Sequence, residues 1–216
     1  MNTYYPDWDA SLYATDLEYR KRVGEEYLKR AAFNDPCHLI LGAEGKCFPY
    51  WTVTDKEFFD VTCREDWEKY FKPSVVHAVM AEHVFEHIEP DECALAFSLI
   101  YEYLRPSGYF LISVPDAFHP SPEYAEQVGV GGTGPGAEDH KVFWDIHTLR
   151  RYLEEASFRV TPLEYWDYAV GTNNALFHSA PEKGMLKNLL RTFATDPRNR
   201  HGSIAYTSLI LLATKD

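Results

Sequence analysis

The sequence predicts an α/β protein whose mostly parallel sheet is covered by helices. Apolar runs of strand length alternate with segments of helical period, and two of those runs are joined by an amphipathic helix, as in a strand, helix, strand crossover. With 216 residues and 45% apolar content the chain can bury one sizeable core, and its length fits a single domain.

The elements follow in order. Over residues 11–32, Leu12, Leu17, Tyr19, Val23, Tyr27 and Leu28 recur near helical spacing until Asn34-Asp35-Pro36 stops them, which predicts an amino-terminal helix. Residues 38–41 form a short apolar strand running into Gly42-Ala43-Glu44-Gly45. A second strand is expected at 50–54, ending at Asp55, a third at 58–61 and a fourth at 75–80. Residues 90–104 carry an apolar helical face of Ala94, Phe97, Leu99, Ile100, Tyr103 and Leu104, and Arg105-Pro106-Ser107-Gly108 reads as its stop and turn. A fifth strand at 109–114, a helix at 146–156, a strand at 159–165 and a final strand at 206–213 complete the alternation. Residues 116–142, which hold five glycines, and residues 166–202 read as long irregular covers over a substrate pocket.

The fourth strand ends in Ala81-Glu82-His83-Val84-Phe85-Glu86-His87-Ile88. Four ionisable groups thus crowd into six residues at the carboxyl end of a strand, where open α/β sheets bind ligands. A formal net charge of −12 argues against a nucleic-acid partner, since that affinity comes from Lys and Arg neutralising phosphates, and favours a small-molecule substrate. The lack of an 18-residue apolar span and of a signal-peptide pattern leads us to expect a cytoplasmic protein without membrane association. Cys37, Cys47, Cys63 and Cys93 match no zinc or disulfide spacing and are expected to be free thiols.

Residues 39–45, Trp51-Thr52-Val53-Thr54-Asp55, the 82–87 run and the stretch from Leu104 to Asp116 together resemble a class I S-adenosylmethionine (SAM)-dependent methyltransferase, in the branch with a Glu-His-Val-x-Glu-His run after the fourth strand. The resemblance implies a Rossmann-like seven-stranded sheet with an antiparallel last strand, SAM as cofactor and S-adenosylhomocysteine as product. The stretch from Lys46 to Tyr50 that leads from the glycine loop into the second strand is too short for a crossover helix, so that helix is expected to be shortened or absent. Residues 1–36 would form a helical cover, 37–116 the cofactor half and 117–216 the substrate half.

The resemblance also implies site residues. Gly42 and Gly45, with Ala43 between them, would let the backbone approach SAM, the Glu44 carboxylate would either meet the cofactor's ammonium or point to solvent, and Asp55 would take the ribose hydroxyls. Asp60, Asp66 and Trp67 would surround adenine, with Glu82 and His83 near the methionine end. His83 leads as general base and His140 is second, because an imidazole titrates near working pH. His119, Tyr124, Asp139, His140, Arg198 and Asn199 are the candidate substrate contacts. His83-Val84-Phe85-Glu86-His87 also fits the H-x-x-E-H pattern of inverted zinc peptidases, but that site needs a helix and this run ends a strand. No metal is expected; the alternative ligand set is His83, Glu86 and His87, two nitrogens and a carboxylate suited to a transition metal rather than magnesium. Methyl transfer to an O or N nucleophile of a small metabolite is the leading expectation. The alternatives are intramolecular SAM cleavage that releases methylthioadenosine, and a non-catalytic binding module.

Overall fold

The computed structural model describes residues 8–43, 49–168, 174–179, 189–202 and 204–216. Two helices, α1 (Ala10–Thr15) and α2 (Leu17–Ala31), stand where one was expected. The break falls at Asp16, whose extended backbone ends α1 while its side chain caps α2 by accepting from the Tyr19 amide. Then come β1 (His38–Leu41), β2 (Thr52–Val53), α3 (Arg64–Tyr70), β3 (Val76–Glu82), α4 (Pro90–Tyr103), β4 (Leu104–Pro115) and α5 (Pro122–Val128). The last elements are α6 (Ile146–Glu155), β5 (Arg159–Tyr168), β6 (Ala175–Ser179) and β7 (Ser208–Thr214).

The strands form one sheet in the order β2-β1-β3-β4-β7-β5-β6. The first four pair in parallel, and β7 runs antiparallel between β4 and β5. β6 closes the far edge antiparallel to β5. The sheet is therefore Rossmann-like, mostly parallel and seven-stranded with an antiparallel last strand, and among the described residues no helix separates β1 from β2. Its central strands are buried on both faces, as parallel strands between helices require: Leu39, Val79, Ile112 and Leu211 on one face and Ile40, Met80 and Leu111 on the other are all buried, and Phe97 of α4 packs on Phe110. Among the described residues no helix is long and apolar enough to cross a membrane.

Further elements differ from expectation. Residues 58–61 are a turn, not a strand: the Phe58 and Phe59 amides both donate to the Asp55 carbonyl, which closes the chain on itself directly after β2. A short apolar run reads alike as strand or as buried turn, and Phe59 instead packs edge-on against Trp67 of the unexpected α3. The turn at 105–108 lies inside β4 as a bulge, since Val76 pairs with Leu104 but Ala78 with Tyr109, and Ser107 takes a left-handed φ of 63° there. The two covers are also more regular than expected. Residues 116–142 contain α5 and a 3-10 turn (Ala137–Asp139), and the second cover supplies the end of β5, the strand β6 and a 3-10 turn (Pro197–Gly202).

Candidate active site

Because β1 to β4 are parallel, their carboxyl ends share one edge of the sheet, and in register Leu41 faces Ala81 while Glu82 faces Ser113. Two clefts open at that edge. The first, about 390 Å³, is bounded by Gly42, Asp55, Asp60 and Val61 together with His83, His87 and Asp139. The second, about 430 Å³, is bounded by Glu82, Glu86, His140, Arg191, Arg198 and Tyr206, again with His83 and His87. The two histidines form the wall between the clefts.

In the first cleft, Gly42 has a φ of 59°, and a Cβ there would stand 2.6 Å from Val84 Cγ2. Only glycine fits this turn, because the backbone is left-handed and the space is filled. Asp55 is buried and its Oδ2 accepts the Tyr13 hydroxyl at 2.7 Å. Burial, and after it the Asp55 charge, push the Tyr13 hydroxyl well above the usual phenol range. Asp60 Oδ1 accepts the amide and the hydroxyl of Thr62.

In the second cleft, His83 directly follows β3 with a left-handed φ of 57°, an uncommon state for a non-glycine residue and one that marks strain at a site. The Ser208 hydroxyl donates to the Arg191 carbonyl at 2.8 Å, so its oxygen is left to accept from His83 Nε2 at 3.0 Å. His83 Nδ1 lies 2.9 Å from Glu86 Oε1, yet off the hydrogen-bonding direction: neither Glu86 oxygen has a hydrogen-bond partner. Burial pushes the Glu86 carboxyl up to about 7, against the lowering effect of its own amide and of the charges of His87, His140 and Arg191. His140 Nδ1 donates to the Val128 carbonyl at 2.8 Å, which leaves the Nε2 lone pair available. His87 Nδ1 meets Asp139 Oδ1 at 2.6 Å, and its ring packs edge-on to that of His140.

Residues 15–163 match the sequence family described as Methyltransferase domain. The chain belongs to that family. Solved structures similar to this methyltransferase include a SAM-dependent methyltransferase from Archaeoglobus fulgidus, at 17% identity over 96% of this chain and 95% of that one, with a TM-score of 0.45. Another is a SAM-dependent methyltransferase from Thermotoga maritima, described as a possible histamine N-methyltransferase, at 10% identity over 95% and 99% of the two chains with a TM-score of 0.47. A third, from Mesorhizobium loti, covers 82% of this chain and 80% of its own at 11% identity and a TM-score of 0.48. Among curated proteins none matches the sequence.

The methyltransferase's structure brings some of the sequence candidates together and separates others. Gly42, Asp55, Asp60, His83 and Asp139 line the first cleft, and Glu82, His83, Glu86, His140 and Arg198 line the second. Ala43 is buried beside Gly42 with its amide on the Thr54 carbonyl, while Glu44 and Gly45 lie outside the described residues. Trp67 sits in the core, stacked on Tyr103 and donating to the Val61 carbonyl, and lines neither cleft. Asp66 accepts the Asp60 amide at 2.7 Å and so fixes the loop that carries Asp60. Glu82 Oε1 accepts the amides of Leu190 and Arg191, both at 2.7 Å, and holds that segment over the second cleft.

His119 and Tyr124 stack on each other at 4.0 Å away from both clefts, with the Tyr124 hydroxyl donating to the Thr207 carbonyl. Burial lowers the His119 pKa to about 4. Asn199 hydrogen-bonds both the amide and the carbonyl of Tyr206 and closes the turn before β7. Arg198 pairs with Asp196 and lies over the Tyr206 ring. Sequence reasoning missed Arg191, Tyr206 and Ser208, all brought to the site from elements far away along the chain.

Proposed function

We propose that this methyltransferase moves the methyl group of SAM to an O or N nucleophile of a small acceptor, with SAM in the first cleft and the acceptor in the second. The observation that carries this reading is the shared wall: two clefts at the carboxyl edge of the sheet meet at His83 and His87. The first cleft has a volume in the range of small-ligand sites. It also has a carboxylate, Asp55, suited to a pair of ribose hydroxyls, and a glycine where a Cβ would obstruct. When bound, SAM supplies a methyl group activated by its sulfonium.

The residues' tasks are alignment, exclusion of water and removal of a proton. His140 is the better placed proton acceptor, because its Nδ1–H is committed to a carbonyl and Nε2 is left as a base. His83, engaged at Nε2 by Ser208 and flanked at Nδ1 by Glu86, is better suited to positioning. The second cleft leaves room for an acceptor, which supports transfer over intramolecular cleavage of SAM.

Calorimetric titration with SAM and with S-adenosylhomocysteine, followed by mass spectrometry of the incubated SAM sample, tests the proposal. Binding of both ligands with SAM left intact is the expected outcome. Release of methylthioadenosine without an acceptor would replace transfer by intramolecular chemistry, and no binding of either ligand would refute the enzymatic reading.

A further inference from the structure

We infer that Glu86, His87 and His140 form a binding site for a divalent transition-metal ion at the floor of the second cleft. One ligand atom from each lies within 4.8 Å of the others, the reach of a single ion. Glu86 is the residue that points to a ligand: it is 1% exposed, and neither of its carboxylate oxygens has a hydrogen-bond partner, the His83 Nδ1 that stands 2.9 Å from Oε1 lying out of line. A buried carboxylate is tolerated when it is paired, hydrogen-bonded or bound to a metal.

The two imidazoles are already oriented for coordination. His140 Nδ1 donates to the Val128 carbonyl at 2.8 Å and His87 Nδ1 to the Asp139 carboxylate at 2.6 Å. Outer partners of these two kinds fix the tautomer of metal-bound histidines and leave Nε2 as the ligand. The backbone supports the same grouping, because the amides of Lys141 and Val142 donate to the Glu86 carbonyl at 2.7 and 3.3 Å. The loop carrying His140 is thereby tied to the turn carrying Glu86 and His87.

Two nitrogens and one carboxylate suit zinc, iron(II), cobalt or nickel rather than magnesium or calcium, which prefer all-oxygen shells. Three protein ligands leave a coordination position open toward the cleft, the pattern of a reactive site rather than a closed structural one. Metal binding stands on these donors alone. Only the ion's use, polarising an oxygen of the acceptor, rests on the transferase reading, and there coordination would occupy the lone pair of His140 that otherwise takes the proton.

The test is titration of chelator-treated protein with Co²⁺ while its visible ligand-field absorption is followed, then displacement by Zn²⁺. One Co²⁺ per chain with a low-coordinate spectrum is expected, with affinity lowered at least about tenfold in Glu86→Gln and in His140→Asn, and by about 10- to 100-fold in Asp139→Asn. Far-UV circular dichroism reports whether each variant folds, and should either ligand variant fail to fold, His87→Asn supplies the same comparison. Absence of a saturable spectrum in the unmodified protein overturns the inference, as does equal affinity in the folded variants. SAM titration of the same protein separates the two readings, since failure to bind SAM in a sample that does bind Co²⁺ refutes the transferase and leaves the metal site.

Discussion

Replacing Gly42 by alanine tests how the first cleft is built. The new methyl group would lie 2.6 Å from Val84 Cγ2 on a backbone at φ 59°, whereas carbon atoms in favourable contact stand about 3.5–4.0 Å apart. Left-handed backbone costs a non-glycine residue roughly 1–2 kcal/mol, and forcing an extra methyl group into filled space costs about 1–3 kcal/mol. The sum, about 2–5 kcal/mol, corresponds to a fall in Tm of roughly 4–20 °C for a chain of this size. Val84 adjoins His83, so we also expect SAM affinity to drop at least about tenfold by calorimetry. Val84→Ala in the Gly42→Ala background separates the two costs: with Cγ2 removed, the nearest atom of residue 84 is Cβ at 3.7 Å, an ordinary contact. The double mutant should regain the steric part, about 1–3 kcal/mol, and retain the backbone part. A Gly42→Ala variant that melts and binds SAM as the parent does would refute the argument, and a cycle with no coupling would refute the role of Val84.

Asp55→Ala removes the carboxylate assigned to the ribose; hydrogen bonds to a charged group are worth roughly 1.5–3 kcal/mol, so SAM binding should weaken about 10- to 100-fold in the calorimeter while the fold persists. Trp67→Ala should cost about 3–5 kcal/mol in denaturant unfolding yet leave the SAM affinity of the folded protein unchanged, and a selective loss of SAM affinity would return Trp67 to the cofactor site. Burial raises the Asp116 carboxyl from 3.8 to about 7, against two backbone amides that bond it. The folded state therefore holds this proton where the unfolded chain has released it, and the group's contribution to stability falls as pH rises from about 3.8 to about 7 and is level beyond. Urea melts across that window should show a shallower decline in Asp116→Asn, with the Glu86 contribution of the same sign left in place; identical slopes would refute the assignment.

The fold was legible because its signals are local. The strand at 38–41 ends at Gly42, the strand before Glu82 is an apolar run broken only by His77, and the face of α4 has a clean helical period, so each element announces itself within a dozen residues. The parallel half of the sheet follows from those elements, and with it the single edge that gathers Gly42, Asp55 and the 82–87 run. The acceptor side of the site has no such signal. Ser208 reaches His83 across 125 positions, and Glu82 holds Leu190 and Arg191 across 108 and 109. Nothing in the composition around residues 190 or 208 marks them, because their role arises only when β7 inserts antiparallel between β4 and β5. The same limit explains Trp67 and Tyr124. An aromatic residue near a loop reads equally as a ligand wall or as core, and the choice was made by partners the local sequence does not contain: Tyr103 beneath Trp67, and the Thr207 carbonyl beyond the Tyr124 hydroxyl. His140 shows the converse. In sequence it is one histidine beside an aspartate, but the hydrogen bonds from Lys141 and Val142 to Glu86 carry it 54 positions back to the turn after β3, where its neighbours turn an unremarkable side chain into part of the site.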